Sequence, residues 1–459
     1  SQVDKTMQGS FDSLRSEGDL NISPGRAEWA GAHIDAETRA VLDEDARYFL
    51  HQSLSTPCLN AITECEGIYL IDAQGQRIMD FHGNSVHQVG YRNSRVMDAV
   101  RAQLETLPFC PRRYTNNPAI TLAKKLAELA PGDLNKVLFA PGGTSAIGIA
   151  LKLARVATGR FKTISMWESF HGASLDAISV GGEAIFRNGI GPLLPGTEHV
   201  PPPDPAHCPW GCSDTCTLHC ADYIEYVLEK EGDVAAVVAE TVRSTPFIPP
   251  KDYWQRVRAA CDKHGALLIL DEIPTCLGRT GRMFACEHYD VVPDILVIGK
   301  GLGGAVMPLA AVIAREKLDV AKNRALGHYT HEKNPVACAA GLATLEYIEE
   351  TKLLEHARQM GAYALVRMRA LKEKHAIIGD VRGIGLLLGI ELVRDGNRKL
   401  RATTEAERVM YAALSKGLSF KLTMGNILTL TPALTITREE LDRAFDILDA
   451  CIGPGTGAA

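Results

Sequence analysis

The sequence predicts an α/β fold: a mainly parallel sheet covered by helices, with a smaller α+β region after it. Three observations predict it. From about residue 120, helical patterns alternate with short, continuously apolar runs, as expected of strands buried on both faces of a parallel sheet. Glycine is frequent at 41 residues while aromatics make up only 6%, which suits many tight strand-to-helix turns better than a β-sandwich core. The 459 residues, at roughly 150 per domain, leave room for about three units at most.

The elements follow in order. The first 50 residues or so read as a polar arm with helical patches. GIYLIDAQGQRIMDF is extended, with AQGQ as a turn. AITLAKKLAELA is a helix, KVLFA a strand, IGIALKLARVA a helix, and FKTISM and AAVVAE are strands. YWQRVRAACDKHG is a helix, and ALLILDE, DILVIGK and PLAAVIA are strands. A long helix, VACAAGLATLEYIEE, leads into the last region, where GIGLLLGIEL and ILTLTPALTIT read as strands and the tail GPGTGAA as disordered. The expected division is an arm and part of a small domain over 1–79, a large domain over 80–335 and a C-terminal small domain over 336–459.

Lys+Arg numbers 49 against Asp+Glu 55, a net charge of −6, which argues against sequence-independent nucleic-acid binding. No apolar run approaches the roughly 18 residues of a membrane span. The opening SQVDKTMQGSFDSLRSEGDL has no apolar signal core, so a cytoplasmic protein with reduced thiols is expected. Cys208, Cys212, Cys216 and Cys220, with His207 and His219 beside them, lie in a Pro-rich stretch. Their regular spacing departs from the usual paired zinc motifs, so free thiols in a surface excursion are expected there, with a structural zinc as the alternative.

In open α/β sheets the chemistry sits beyond the carboxyl ends of the strands. Gly142–Gly143–Thr144, Glu240, Asp271–Glu272 and Lys300 directly follow apolar runs. In FAPGGTSAIG a glycine turn opens a helix, offering N–H groups and a hydroxyl to an anion, or simply a capped turn. Asp271 ends a fully apolar strand, where a carboxylate is costly unless a cation partners it, although it could instead cap the next turn. Lys300 follows a buried strand, and a partly desolvated lysine can form a Schiff base with an aldehyde. Phe170, in SFHG, is either a core aromatic or a ring that stacks on a flat cofactor.

Together these are the parts of a pyridoxal-phosphate (PLP) site, and the chain resembles the class III (ω-type) aminotransferases from about residue 60 to 450. The combination LLILDE, GRTG, VIGKGLGG, NPVACAA and GDVRGIGLLLGIE carries the resemblance. It implies PLP fold type I with a mainly parallel seven-stranded sheet. It further implies that Lys300 is the Schiff-base lysine and Asp271 the partner of the pyridine nitrogen. Gly143 and Thr144 match the phosphate loop, Phe170 the stacking ring with His171 beside it, and Glu240 the active-site glutamate. Thr330, in HYTHEKNP, matches a threonine that reaches the phosphate from the neighbouring subunit, which implies a homodimer with a shared site.

Departures from the family pattern bear on the substrate. Where the family often has an arginine that grips an α-carboxylate, this chain has Thr429, which cannot supply that bidentate fork. Pro274 stands where a glutamine is common, and the phosphate loop reads GGTSAIG instead of SGTEANE. Arg243 follows Glu240 at a position that is often neutral, which suggests an anion elsewhere on the substrate; Arg112, Arg113 and Lys421 are weaker candidates. HYTHEKNP, DEIP and the GDLNISPGR arm most resemble a lyase branch that releases ammonia from the amino-alcohol phosphonate (R)-1-hydroxy-2-aminoethylphosphonate. In that reading Lys300 is the base, Arg243 binds the phosphonate, and His87 or His331 could protonate the leaving group. The alternatives are an ω-amine:2-oxo-acid transaminase and a phospho-lyase on an amino-alcohol phosphate.

Overall fold

The computed structural model describes residues 21–213 and 215–453. The first twenty residues of the arm and nearly all of the GPGTGAA tail lie outside them. Two compact units emerge among the described residues. One spans Asn93–Leu354, and the other joins the residues up to Arg92 with those from Glu355 onward.

The larger unit is built on a seven-stranded sheet. Its strands are β1 (Leu134–Ala140), β2 (Lys162–Met166), β3 (Thr197–Val200), β4 (Val234–Glu240), β5 (Leu267–Asp271), β6 (Ile295–Ile298) and β7 (Ala310–Arg315). Their spatial order is β1-β7-β6-β5-β4-β2-β3. Only β7 runs antiparallel to its neighbours. Every residue of β4 is buried, as a strand covered on both faces requires. The helix Gly143–Thr158 lies over the sheet. Its Ile147, Ile149 and Leu153 share one core with Val238, Ile269, Val297 and Val312. It ends at Gly159, whose φ of 67° is the left-handed turn that closes a helix. β3 carries no apolar run: TEHV pairs only with β2 at the sheet edge, and polar side chains are tolerated there.

The other unit holds two small sheets. Ile62–Glu66, Tyr69–Asp72 and Arg77–Asp80 form an antiparallel meander, with Leu418–Ser419 parallel to its last strand. Gly75, at φ 80°, makes the expected turn in AQGQ. The second sheet contains Ile378–Ile384, Leu387–Arg394, Ile427–Leu430 and Lys421–Thr423, with Asn397–Arg401 beside Leu387–Arg394. GIGLLLGIEL is therefore not one strand. Gly385, at φ 58°, folds it into the hairpin between Ile378–Ile384 and Leu387–Arg394. The strand in ILTLTPALTIT stops at Leu430.

The units divide at 92/93 and 354/355, not at 79/80 and 335/336. The first difference arises because Arg77–Asp80 pairs with Leu418–Ser419, and Tyr91 bonds back to Gly67. The second arises because helix Pro335–Glu350 packs on helices Ser94–Thr106 and Asn117–Leu129 of the larger unit.

Candidate active site

Three adjacent parallel strands deliver the central groups. Glu240 ends β4 and Asp271 ends β5, and the two are directly paired in register. Asp271 in turn sits opposite Val297 of β6, three positions before Lys300. Continuous apolar strands thus end together, so their first polar side chains collect at one edge of the sheet.

Asp271 is buried, and burial of a carboxylate demands partners. Its Oδ1 accepts from the Ile273 N–H at 3.0 Å, and its Oδ2 lies 2.7 Å from Nδ1 of His171. A carboxylate only accepts, so His171 carries its proton on Nδ1 there. Burial, the strongest influence on His171, pulls its pKa down. The Asp271 hydrogen bond, with the charges of Asp271 and Glu240, outweighs it, and the net direction is upward. His171 Nε2 is buried and has no hydrogen-bond partner.

His171 comes from the loop after β2. Ser169 Oγ donates to the Met166 carbonyl at 2.7 Å, and Gly182 N–H to the Ser169 carbonyl at 2.8 Å, which ties that loop down. Glu240 accepts from the Phe170 N–H at 3.4 Å. Burial pushes the Glu240 carboxyl above its ordinary range, against the charges of Arg243 and His171. Arg243 is only 3% exposed. Its Nε lies 3.9 Å from Glu240 Oε2, Nη2 donates to the Glu168 carbonyl, and the guanidinium rests over the Phe247 ring. Its Nη1 is buried and unpaired.

The glycine turn after β1 starts the helix Gly143–Thr158 with no side-chain cap. Ala146 N–H closes the first helical bond to Gly142, so the preceding N–H groups have no helical acceptor. A Cβ on Gly142 would meet nothing within 4 Å, whereas one on Gly143 would come within 2.9 Å of Ile273. Thr144 Oγ1 lies 2.5 Å from Ser174 Oγ and accepts from the Ser174 N–H at 3.2 Å. A Cβ on Gly172, where φ is 127°, would fall 2.5 Å from Thr144 Oγ1, so only glycine permits this approach. Ser174 and Gly172 were not foreseen as a pair with Thr144. Gly172 closes SFHG and Ser174 lies two residues beyond it, which was the available signal.

Lys300 opens a short 3-10 turn with φ 45°. A non-glycine residue in the left-handed region is strained, and such strain collects at functional sites. Phe170 is half-buried, its ring centroid 4.7 Å from that of Phe186. Glu272, which follows Asp271, has a structural duty the sequence did not reveal. It accepts from Thr241 Oγ1 at 2.8 Å and from the N–H groups of Ala285 and Cys286 at 2.6 and 2.9 Å. It thereby ties the β4 and β5 ends to the segment after GRTG. Burial pushes its pKa to about 7 despite those bonds.

Other expected residues are not part of this cluster. Thr330 is exposed. Arg112 is engaged by the segment that carries Thr330, with Nη2 at 2.9 Å from His328 Nε2 and Nε at 3.7 Å from Glu332. His331 is exposed, with its ring edge-on to Phe109. His87 and Thr429 belong to the other unit. There His87 is buried, its Nε2 3.3 Å from the Asp80 carbonyl and its ring stacked on Tyr91. Thr429 is buried, with its hydroxyl 2.8 Å from that of Thr423.

A strand-end carboxylate bonded to histidine, a strained lysine just beyond the next strand and an open helix N-terminus are what a fold type I enzyme needs. The model of the class-III aminotransferases matches residues 51–452, and the chain belongs to that family. It is 50% identical to the (R)-1-hydroxy-2-aminoethylphosphonate ammonia-lyase of Vibrio splendidus, over 96% of this chain and 95% of that protein. It is 36% identical to a leucine/methionine racemase of Thermococcus litoralis, over 90% of this chain and 95% of that one. Among solved structures, a PLP-bound amine transaminase from an uncultivated Pseudomonas species superposes with a TM-score of 0.84 at 31% identity. That match covers 88% of this chain and 98% of the transaminase.

The family implies PLP, and the residues fit it. The unfilled space at Gly142 and the free N–H groups beside Thr144 suit a phosphate, and the His171-bound Asp271 suits a protonated ring nitrogen. Among the described residues, no helix is long and apolar enough to cross a membrane.

Proposed function

We propose that the chain is a PLP-dependent ammonia-lyase acting on (R)-1-hydroxy-2-aminoethylphosphonate, as a cytoplasmic homodimer. The observation that carries the reading is the half-identity to the Vibrio lyase along nearly the whole chain. Arg243 supports it: a buried guanidinium with an unpaired Nη1 suits a phosphonate oxygen. Thr429 supports it as well, since a neutral hydroxyl replaces the carboxylate-gripping arginine and this substrate has no carboxylate.

The bound cofactor would supply the electron sink for negative charge at the amine-bearing carbon. Lys300 would carry the cofactor and, once released by the substrate amine, take the proton from that carbon. Asp271 would hold the proton on the ring nitrogen, with His171 holding Asp271 in place. Gly143, Thr144 and the helix start would bind the cofactor phosphate, with Thr330 of a second subunit completing that site. Phe170 would cover the ring, and Glu240 would border it and orient Arg243. The hydroxyl of the neighbouring carbon would leave as water, taking the proton that Lys300 removed from the amine-bearing carbon. The released enamine takes a water back and gives phosphonoacetaldehyde and ammonia.

The test is ammonia release by PLP-loaded protein given the phosphonate and no keto acid. Stoichiometric ammonia and aldehyde over many turnovers support the lyase. Turnover that depends on pyruvate and yields alanine points instead to an ω-amine transaminase.

A further inference from the structure

Residues 201–218 connect β3 to the helix His219–Glu231, and among the described residues they form no regular element except the turn Pro205–His207. So long an irregular connection in a compact unit needs a fastening of its own. Four cysteines recur along it, Cys208, Cys212, Cys216 and Cys220, the last in the first turn of the helix. Three residues separate each from the next; the even spacing is not the usual two-pair pattern, which is the sequence argument against zinc, but each step lies within the two to four residues that zinc-binding pairs use.

The sulfurs gather. Cys216 Sγ and Cys220 Sγ lie 3.6 Å apart. Cys212 Sγ lies 3.3 Å from the Thr217 hydroxyl, one residue beyond Cys216, and the backbone carries Cys208 and Cys212 along the same connection. Backbone amides are already turned onto sulfur. Trp210 N–H donates to Cys208 at 3.4 Å, Leu218 N–H to Cys216 at 3.3 Å and Thr217 N–H to Cys212 at 3.4 Å. In the first two cases the donor follows its cysteine by two residues, a turn that stabilises a thiolate far better than a neutral thiol. Those turns use left-handed backbone, Gly211 at φ 80° and Leu218 at φ 65°. Leu218 is also the residue that caps the start of the helix His219–Glu231.

We propose that Cys208, Cys212, Cys216 and Cys220 form a structural zinc site that pins residues 201–218 to the start of the helix His219–Glu231. Four thiolates suit a soft, tetrahedral ion, and four protein ligands leave no position for water, so the site is not catalytic. Binding replaces four thiol protons, which pass to solvent. Among the described residues no three ligand groups yet surround one point. The four cysteines follow one another along the connection, and the ion draws them into a tetrahedron. This inference is independent of the lyase reading.

The test is elemental analysis of PLP-loaded protein purified without added metal or chelator, with a Co²⁺ titration of the reduced wild-type chain. The expected result is about one zinc per chain. Co²⁺ in its place should show the d–d absorption of a tetrahedral thiolate, at longer wavelength than the cofactor bands. Cys212→Ser and Cys216→Ser should each lose the zinc and lower the Tm while keeping PLP. If neither variant folds, the wild-type titration decides alone. Wild-type protein that contains no zinc and takes up no Co²⁺ against a weak chelator overturns the proposal. So does a Cys216–Cys220 disulfide, read as the loss of two hydrogens in protein alkylated at lysis.

Discussion

Nδ1 of His171 lies 2.7 Å from Oδ2 of Asp271, both buried, although the two residues are one hundred positions apart. The contact joins the loop after β2 to the end of β5 and fixes the Asp271 carboxylate. In the proposed site His171 would act through Asp271, as a positioning residue. His171→Ala should weaken PLP affinity by about tenfold or more, the value of a hydrogen bond to a charged group. It should also shift the pH–rate profile. His171→Asn, whose amide can donate to Asp271, should recover part of both. An unchanged profile with only a lower Tm would reduce the contact to packing.

Lys300 has no substitute on the neighbouring strands. Lys300→Ala should lower ammonia release by at least about 10²–10⁴-fold, the range of a positioned base. PLP should no longer survive desalting without covalent attachment. The assay is phosphonoacetaldehyde formation, with cofactor absorbance as the control.

Arg243 should act on substrate binding. Arg243→Ala should raise KM for the phosphonate by about 10- to 150-fold, as expected for a charge-assisted hydrogen bond worth about 1.5–3 kcal/mol. Methylphosphonate should cease to inhibit competitively. An unchanged KM would remove Arg243 from the substrate site and leave it as the clamp on the Glu168 carbonyl.

Gly172→Ala tests the cradle. The new Cβ would come within 2.5 Å of Thr144 Oγ1 at a φ of 127°. A strain cost of about 1–3 kcal/mol is expected. It should appear as weaker PLP binding, measured by equilibrium dialysis, and as a lower Tm.

Glu272 gives stability a pH dependence. Its folded pKa, at about 7, is raised from 4.5. Below pH 4.5 both folded and unfolded forms are protonated and nothing is lost. As pH rises toward 7 the unfolded chain ionises first, so stability falls through this window, by on the order of 3 kcal/mol. Relative to Glu272→Gln, the wild type should lose Tm between about pH 4.5 and 7 and then run parallel to it. Parallel curves throughout would falsify the assignment.

Sequence by itself determined the strands β1, β2 and β4–β7, because continuous apolar runs have no other home than a doubly covered sheet. It also placed Gly143, Glu240, Asp271 and Lys300 at or just beyond strand ends, since the first glycine or polar residue after such a run must lie there. β3 was illegible because an edge strand needs no apolar run, and the GIGLLLGIEL hairpin because Gly385 hides a turn inside an apolar stretch. Only the tertiary structure decided that His171 bonds Asp271, that Glu240 pairs beside it, and that Glu272 clamps three segments. These depend on strand order and register, which bring distant residues together and leave no local pattern. The unit boundaries were decided the same way, by which strand pairs with Arg77–Asp80 and which helices receive Pro335–Glu350.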